Sequence, residues 1–509
     1  MLRVPRWPAL WALGGGVAWG LCHAARPLPG LSLVALAPLA LVLGARRPGR
    51  LGWLHGIASW AVAVPWIVPT ITTYGQLPGW VGGLALLLLA AILGAYDAAF
   101  AALGARLWRR GGALSIAALP ALWVALEALR AQLLSGFPWN LAAYAWTDLP
   151  GALPLASWLG AWGVSALVLA PSLGLARAWA RRSWVPLALG VLLPAALLPV
   201  AARGLGAAAG PAGDGGRVPL AIVQPDTPNR PWFDAAANEA DYRRLLALTD
   251  AACAPGRLVL WPESAAWPRD WQDDPRLRAD VAGFATRGCP VLFNSPYAAG
   301  EATYNSVLLA GAGGEGEPQR ADKRHLVPFG EYVPLRRVLP FLGKIARSIG
   351  DFSAADRIAL LDWGGQRLGV AVCFEVIFPG ETAALVRAGA TLLATVTNDA
   401  WYGDTAAPRQ HLRAARFRAA ENRRWLARAA ITGISALVRP DGSLAAELEV
   451  GGRGTLLVEA AGRTDRTPYS RAPWLVPALA TLVAAGGLAR AGRSRARDRT
   501  GLTLPGNGR

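Results

Sequence analysis

Long hydrophobic runs constrain this chain more than any other feature of its sequence. Seven runs fill the first 205 residues, and an eighth lies near the C-terminus. They cover roughly residues 7–22, 31–45, 52–73, 80–105, 113–134, 152–176, 184–202 and 474–488. Most approach the about 20 residues that a helix needs to cross a bilayer, although the first two are short. The sequence therefore predicts a helical membrane bundle with about eight transmembrane helices.

The composition agrees with a membrane protein. The chain has 509 residues, of which 53% are hydrophobic and 17% are charged. It is too long for one ordinary domain and unusually apolar for a soluble protein of this size. The formal net charge of +18 could attract nucleic acid, but the arginines form no single basic stripe or helix. We therefore expect no nucleic acid partner.

Arginine clusters follow a regular pattern between the hydrophobic runs. They occur on alternate connections: Arg3 and Arg6; Arg46, Arg47 and Arg50; Arg106, Arg109 and Arg110; Arg177, Arg181 and Arg182. Basic residues are concentrated on the cytoplasmic side of membrane proteins. The pattern places the N-terminus in the cytoplasm and the chain outside after the seventh run. Further arginines after the eighth run place the C-terminus in the cytoplasm.

The first run also resembles a signal peptide, but it lacks a clean cleavage site followed by polar sequence, so we expect it to be retained.

The middle of the chain has a different sequence pattern from the long hydrophobic runs. Short runs rich in Val, Leu and Ile, bounded by Gly, Pro or Asn, alternate with helical candidates such as 238–251 and 406–427. This alternation predicts an α/β layered domain with its site at the strand ends. The expected division is 1–205 for the first seven transmembrane helices, 206–216 for a linker, 217–465 for an extracytoplasmic α/β domain, 472–490 for the eighth helix and 491–509 for a basic cytoplasmic tail.

Three residues of this middle region suit acyl transfer through a thiol. Cys373 ends an apolar, strand-like run, Glu263 follows a strand in Trp-Pro-Glu, and Lys323 precedes a loop containing Pro and Gly. A cysteine nucleophile needs a base to accept its proton and a cation or donors to stabilise the tetrahedral oxyanion. Glu263 is the candidate base, and Lys323 is the candidate oxyanion stabiliser. Taken singly, each residue also has a structural explanation: a buried thiol, a turn carboxylate and a surface ammonium.

The remaining cysteines and the histidines indicate no metal. The four cysteines show no C-x-x-C spacing, which argues against zinc and against a redox pair. A Cys253–Cys289 disulfide stays open, because the sequence offers no support for it. His325 and His411 are predicted to be structural, and we expect no cofactor.

Four motifs, with hydrophobic runs on both sides, carry a resemblance to a known family. They read Trp-Pro-Glu at 261–263, Lys-Arg-His-Leu-Val-Pro-Phe-Gly-Glu-Tyr-Val-Pro at 323–334, Cys-Phe-Glu at 373–375 and Thr-Asn-Asp-Ala-Trp-Tyr-Gly-Asp at 397–404. Over nearly the full chain this resembles the apolipoprotein N-acyltransferases, membrane-embedded members of the nitrilase superfamily. The resemblance implies that Glu263, Lys323 and Cys373 form a catalytic triad on a nitrilase-like αββα sandwich.

The resemblance also implies substrates and a mechanism. Cys373 would take an acyl group from a membrane phospholipid as a thioester, with Glu263 as base. The amine of a diacylglyceryl-cysteine at the N-terminus of an apolipoprotein would then accept the acyl group, with ping-pong kinetics. Lys323 would stabilise both tetrahedral intermediates. The expected location is the bacterial inner membrane, with a periplasmic catalytic domain in a monomeric protein.

Several further residues match the family pattern. Glu331 would support the lysine and the oxyanion region, Glu375 would lie close to the nucleophile, and Trp232 and Trp401 would lie on loops that bind substrate. Their alternatives are structural ion pairs for the glutamates and interfacial packing for the tryptophans. Phe374 departs from the family, which often has tyrosine after the nucleophile, so a catalytic role for that hydroxyl is in doubt here.

The segment from Leu335 to Phe352 mixes apolar and basic residues. Such a segment suits a lid that lies on anionic headgroups and opens toward lipid. An ordinary amphipathic helix packed on the domain is the competing interpretation.

Two other functions fit parts of the sequence. A membrane-tethered nitrilase or amidase could use the same three residues, but a small polar substrate requires neither eight spans nor an apolar lid. A transporter or scaffold would carry more ionisable residues within the membrane than Asp97 and Glu127.

Overall fold

The computed structural model describes residues 5–28, 30–110, 113–205, 216–230, 232–312, 316–333 and 351–500. The expected linker therefore lies outside the described residues except for Gly216. The expected lid likewise lies outside them except for Asp351 and Phe352.

Helices form the N-terminal part of the chain. They are α1 Pro8–Leu21, α2 Ala37–Val42, α3 Pro48–Ala63, α4 Ile67–Pro69, α5 Gly79–Arg110, α6 Ala113–Arg130, α7 Ala152–Arg181 and α8 Val185–Val200. Shorter 3-10 or π turns lie at Leu31–Leu33, Thr70–Tyr74, Leu133–Ser135, Ala142–Trp146 and Ala201–Leu205.

The structure supports the eight predicted spans only in part. Within the described residues, four helices are long and apolar enough to cross a membrane: Gly79–Arg109, Ala152–Arg181, Val185–Leu205 and Leu475–Arg493. A fifth candidate is the pair Pro48–Ala63 and Ile67–Tyr74, which is bent by 66°. Pro65 lies in this bend, where it cannot donate a helical hydrogen bond. The first run yields only the 14 residues of α1, and the second yields a turn and the 6 residues of α2. Hydrophobic length thus overestimated the number of continuous spans.

The two acidic residues noted within the hydrophobic runs are paired inside the helical bundle. Asp97 Oδ1 lies 3.0 Å from His55 Nδ1. Glu127 Oε1 accepts a hydrogen bond from the backbone of Ala142 at 2.8 Å and lies 3.9 Å from Arg130 Nη2. Paired, inward-facing charges are the arrangement that a membrane bundle tolerates.

The middle region contains two six-stranded sheets. The strands are β1 Arg217–Gln224, β2 Leu258–Leu260, β3 Val291–Ala299, β4 Ala302–Ala310, β5 Gln319–Asp322, β6 Leu361–Trp363, β7 Gln366–Val372, β8 Leu392–Thr397, β9 Leu426–Ala430, β10 Ser435–Val438, β11 Leu444–Leu448 and β12 Gly454–Ala461. One sheet has the order β12-β1-β2-β3-β4-β5, and the other has the order β11-β10-β9-β8-β7-β6. The central strands β1, β2 and β3 are parallel, as are β7, β8 and β9. Their carboxyl ends therefore meet at common edges, where sites form in α/β domains.

The two sheets pack face to face with helices on both outer sides. Leu220, Leu260, Val370 and Val396 belong to the apolar layer between the sheets. The first sheet packs on α9 Ala235–Ala252 and α10 Pro275–Thr286. The second packs on α11 Pro379–Arg387 and α12 Ala407–Asn422. The predicted αββα sandwich is therefore present. Helix α12 is shorter than the predicted 406–427, because Leu426 already begins β9.

Helix α12 also lies against the membrane helices, although it is rich in polar residues. Glu421 Oε1 accepts a hydrogen bond from the backbone of Ala161 at 2.8 Å. That N–H is free because Gly160, with φ of 65°, interrupts α7. Arg413 Nη2 donates to the carbonyl of Ala25 at 2.7 Å. The polar residues of α12 thus supply partners for backbone groups at helix ends and breaks.

The described part of the chain ends in the short α13 Pro468–Arg471 and the long α14 Leu475–Thr500. Helix α14 packs on α6 and α5. It extends past residue 490 into the residues that the sequence assigned to a basic tail.

Candidate active site

Cys373 lies directly after β7, at the start of a 3-10 turn that ends at Ile377. Its φ is 51°, a conformation that a residue with a side chain adopts only when its surroundings impose it. The thiol is buried, and its Sγ lies 3.3 Å from Thr397 Oγ1. Thr397 is the last residue of β8, so two neighbouring parallel strands end at the thiol.

Glu263 reaches the same place from the first sheet. It follows β2 by three residues, beyond Trp261 and Pro262, and is 7% exposed. Its Oε2 accepts a hydrogen bond from the backbone of Asn398 at 3.0 Å. Because Asn398 directly follows Thr397, one strand end contacts both the carboxylate and the thiol.

Lys323 lies directly after β5 and is 1% exposed. Its Nζ donates to Glu331 Oε1 at 2.8 Å and lies 3.8 Å from Glu263 Oε1. Its backbone N–H donates to the carbonyl of Asn305 at 2.9 Å. The structure thus brings the three residues selected from the sequence, Glu263, Lys323 and Cys373, into one buried cluster.

The cluster favours a neutral thiol beside a charged ammonium. Burial raises the pKa of Cys373, and the Glu263 carboxylate raises it further, while Lys323 acts in the opposite direction. Burial alone would lower the pKa of Lys323, but Glu263 and Glu331 outweigh it, so its pKa is raised. The thiol must therefore lose its proton as it attacks, and a carboxylate in the same cluster is suited to accept it.

Two family models together match most of the chain. One describes the apolipoprotein N-acyltransferase N-terminal domain and matches residues 15–174. The other describes carbon-nitrogen hydrolases and matches residues 220–469. An apolipoprotein N-acyltransferase from Geobacter metallireducens is 38% identical over 456 residues, which cover 87% of each chain. The chain belongs to the apolipoprotein N-acyltransferase family. It is therefore an acyltransferase.

Two further comparisons cover different shares of the chain. An apolipoprotein N-acyltransferase from Azotobacter vinelandii is 35% identical over 515 residues, covering 97% of each chain. Among solved structures, a CN-hydrolase superfamily protein from Xanthomonas campestris matches with a TM-score of 0.37 and 19% identity. That match covers 57% of this chain and 100% of the solved chain.

The two further glutamates of the acyltransferase have different surroundings. Glu331 pairs with Lys323, and its Oε2 accepts a hydrogen bond from the backbone of Val327 at 2.8 Å. Glu375 accepts from the backbone N–H groups of Arg324 at 2.7 Å, His325 at 2.9 Å and Val372 at 2.7 Å. Burial raises the pKa of Glu375, although the charge of Lys323 and these N–H groups oppose the rise. Glu375 thus joins the loop after Lys323 to the turn that carries Cys373.

Sequence reasoning missed two asparagines of the candidate site. Asn305 Nδ2 lies 3.1 Å from Glu263 Oε1 and 2.6 Å from Glu331 Oε1. Asn294 Nδ2 donates to Asn305 Oδ1 at 2.6 Å and so orients that amide. Both lie within apolar strands, where a buried amide requires partners. A polar residue within an apolar strand was therefore the sequence feature that could have indicated these two asparagines.

A buried charged cluster on the other side of Cys373 was also missed. Arg428 Nη2 donates to Asp399 Oδ2 at 2.5 Å, and Asp399 Oδ1 accepts from Thr397 Oγ1 at 2.8 Å. His411, predicted to be structural, uses Nε2 to donate to the carbonyl of Cys373 at 3.1 Å. The other histidine of that prediction, His325, uses Nε2 to contact the carbonyl of Ser135 at 2.7 Å.

The aromatic candidates occupy different environments in the acyltransferase. Phe374 is buried, with its ring centroid 5.1 Å from that of Phe378 and 6.4 Å from that of Phe137. Trp232 is 65% exposed, and Trp401 is 45% exposed with its ring edge-on to Tyr74. No hydrogen bond, ion pair or ring contact within the described residues joins either tryptophan to the cluster of Glu263, Lys323 and Cys373. The part of the chain that the structure describes also has no group of three or more His, Cys, Asp or Glu suited to a metal ion.

Proposed function

We propose that this chain transfers an acyl chain from a membrane phospholipid, through a thioester on Cys373, to the N-terminal amine of the diacylglyceryl-cysteine of apolipoproteins. This would be the last step of lipoprotein maturation. One observation carries the proposal: a thiol, a carboxylate and an ammonium lie in one buried cluster in a chain of this family. Glu263 is the general base, and Lys323 stabilises the oxyanion.

The first half-reaction forms the thioester. The sulfur of Cys373 attacks the ester carbonyl of the phospholipid while Glu263 accepts the thiol proton. The positive charge of Lys323 stabilises the tetrahedral oxyanion. The intermediate collapses with cleavage of its C–O bond, and Glu263 returns the proton to the departing lysophospholipid oxygen.

The second half-reaction consumes the thioester. The acceptor amine, in its neutral form, attacks the thioester carbonyl, and Glu263 accepts a proton from the nitrogen. Collapse forms the amide and breaks the C–S bond, and the proton returns to the sulfur of Cys373. The same residues thus serve both steps, and the order of substrates is ping-pong.

The exposed tryptophans are proposed to bind substrate. Trp232 and Trp401 present large rings to solvent on loops of the catalytic domain, and Phe233 is 64% exposed next to Trp232. Aromatic rings of this kind are suited to the boundary between lipid and water. Phospholipid donor and diacylated apolipoprotein acceptor would both approach along this boundary.

We propose that the protein is a monomer of the bacterial inner membrane, with cytoplasmic termini and residues 217–465 in the periplasm. The arginine pattern supports this orientation. A disulfide between Cys253 and Cys289 supports it independently, because disulfides persist in oxidising compartments. The pairing that the sequence left open is therefore present. A reporter that is active only outside the cytoplasm, fused after Gly216, should be active, and an inactive fusion would contradict the orientation.

Intact-mass analysis after incubation with phospholipid tests the mechanism. We expect an adduct of acyl mass on Cys373 that hydroxylamine removes. The adduct should be absent from Cys373→Ala and present in Cys22→Ala, which removes the other free cysteine. A Cys373→Ala protein that still acylates an apolipoprotein would refute the proposal. Release of free fatty acid without transfer to the amine would instead favour a hydrolase.

A further inference from the structure

The side-chain amide of Gln410, on α12 of the catalytic domain, makes all four of its hydrogen bonds with the membrane part, which is the N-terminal region up to residue 205. Its Oε1 accepts from the indole Nε1 of Trp66 at 3.0 Å and of Trp139 at 2.7 Å. Its Nε2 donates to the carbonyls of His23 at 2.8 Å and Ala63 at 2.7 Å. Indole N–H groups can only meet the oxygen, and carbonyls can only meet the nitrogen. The amide is therefore held in one orientation by four contacts, which come from three segments of the chain.

Trp139 contacts both Gln410 and His411, and His411 lies next to Cys373. Its ring stacks on the ring of His411, with centroids 5.5 Å apart and an interplanar angle of 30°. His411 Nε2 in turn donates to the carbonyl of Cys373 at 3.1 Å. Because Cys373 has a φ of 51°, its conformation depends on contacts such as this one. A continuous series of contacts thus joins the membrane helices to the backbone of the thiol.

Buried partners lie within hydrogen-bonding distance of both ring nitrogens of His411. Arg428 Nη2 donates to Asp399 Oδ2 at 2.5 Å and lies 3.2 Å from His411 Nδ1. Burial and the positive charge of Arg428 lower the pKa of His411, although Asp399, whose Oδ1 lies 3.1 Å from Nδ1, opposes the fall. The contact with the Cys373 carbonyl requires a proton on Nε2, because a carbonyl oxygen can only accept a hydrogen bond.

We propose that Gln410 is a positioning residue for acyl transfer: it seats Trp139 of the membrane part against His411, and so holds the backbone of Cys373 in its reactive conformation. The inference rests on the proposed role of Cys373 as nucleophile. It makes the reactivity of the thiol depend on the docking of the membrane helices onto the catalytic domain.

Gln410→Met in the full-length, detergent-purified protein tests this inference, because it keeps the side chain's length and removes its four polar contacts. The measurement is single-turnover acylation of Cys373 over a range of phospholipid concentrations. We expect the maximal rate to fall about tenfold to a hundredfold, as for a small misplacement of reacting groups. The phospholipid concentration that gives half the maximal rate should stay unchanged, because the buried amide of Gln410 makes its four hydrogen bonds with protein groups.

Arg409→Met provides the matched control. Arg409 is the preceding residue of the same helix, but its side chain pairs with Glu449 at the surface. This variant should acylate at the wild-type rate. If Gln410→Met acylates as fast as Arg409→Met, the inference is wrong.

A second pair of variants covers the case in which Gln410→Met does not fold. Trp66→Phe and Trp139→Phe each remove one indole donor from the same oxygen of Gln410. A purely structural role predicts similar acylation rates for the two variants. The inference predicts a slower rate for Trp139→Phe, because only Trp139 stacks on His411. Equal rates would overturn it.

Cys373→Ala separates this inference from the proposed function. If Cys373→Ala no longer acylates an apolipoprotein, but Cys373 of Gln410→Met is acylated at the normal rate, only the positioning role is overturned. If Cys373→Ala still acylates an apolipoprotein, both the positioning role and the proposed function are overturned.

Discussion

The side-chain amide of Asn305 donates a hydrogen bond to Glu263, with Nδ2 and Oε1 3.1 Å apart. The same nitrogen lies 2.6 Å from Glu331 Oε1, and Lys323 Nζ lies near both carboxylates. One neutral amide and one ammonium therefore separate two buried carboxylates that would otherwise repel each other. The geometry of the proposed base depends on a side chain from β4 that takes no direct part in the reaction.

Replacing Asn305 with alanine should slow acylation of Cys373. The change removes a hydrogen bond to a charged group, worth about 1.5–3 kcal/mol or roughly tenfold to a hundredfold in rate. Asn238→Ala is the control, because Asn238 lies on α9 and both asparagines are 7% exposed. Single-turnover acylation measures the effect, and similar rates for the two variants would contradict it.

Replacing Glu375 with glutamine should destabilise the turn that carries Cys373. An amide nitrogen cannot accept a hydrogen bond, so at least one of the N–H groups of Arg324, His325 and Val372 loses its partner. We expect a loss of about 1–3 kcal/mol in the free energy of unfolding. Thermal unfolding in detergent measures it.

Glu381→Gln is the control for that experiment. Glu381 pairs with the side chain of Arg324 at 2.7 Å, and both side chains are partly exposed. Such a surface pair contributes less than about 1 kcal/mol. Equal shifts in the unfolding temperature for Glu375→Gln and Glu381→Gln would show that the hydrogen bonds from backbone N–H groups to Glu375 do not stabilise the fold.

Alkylation of Cys373 without phospholipid should accelerate continuously with pH from about 6 to about 9, since the thiolate is the reactive form. Burial raises the pKa of this thiol, so its neutral form persists as the pH rises. Lys323→Met should slow alkylation further, because the lysine charge opposes that rise. Iodoacetamide labelling, followed by peptide mass spectrometry, measures the rate. A rate that is already constant at neutral pH would indicate a preformed thiolate instead.

Removing the disulfide should lower stability without slowing acylation. Cys253 and Cys289 are 36 residues apart, and a loop of this length contributes about 3–4 kcal/mol in the chain-entropy treatment. A double alanine variant should unfold at a lower temperature than the wild type. Reductant should lower the unfolding temperature of the wild type and leave that of the variant unchanged. If reductant also lowered the unfolding temperature of the double alanine variant, the effect of reductant would not come from this disulfide.

The candidate triad could be selected from the sequence because its residues interrupt or follow apolar strand patterns and match family motifs. Local sequence marks Cys373 as the residue after the apolar run of β7 and Glu263 as the residue after Trp-Pro. It could not place them together, because β2 and β7 belong to different sheets. Only the packing of one sheet on the other brings the carboxylate to the thiol.

The membrane part shows the limit of hydrophobicity as a predictor. Apolar composition identifies residues that avoid water, but it does not distinguish a continuous span from a short or broken helix. The run 52–73 forms two helices bent by 66°, and the run 31–45 forms a turn and a short helix. Buried polar residues show a related limit: Gln410 and Glu421 are polar positions on a helix that is enclosed on both sides.

The sequence by itself determined the class of the protein: a hydrophobic bundle, an α/β domain, and three residues suited to acyl transfer. These follow from local composition and strand patterning, which act over a few neighbouring residues. Only the tertiary structure decided which amides bridge the carboxylates, which histidine contacts the backbone of Cys373, and which residues of the N-terminal part contact Gln410. Those contacts join residues far apart in the chain, because a buried polar group is satisfied by whichever partner the packing brings within hydrogen-bonding distance.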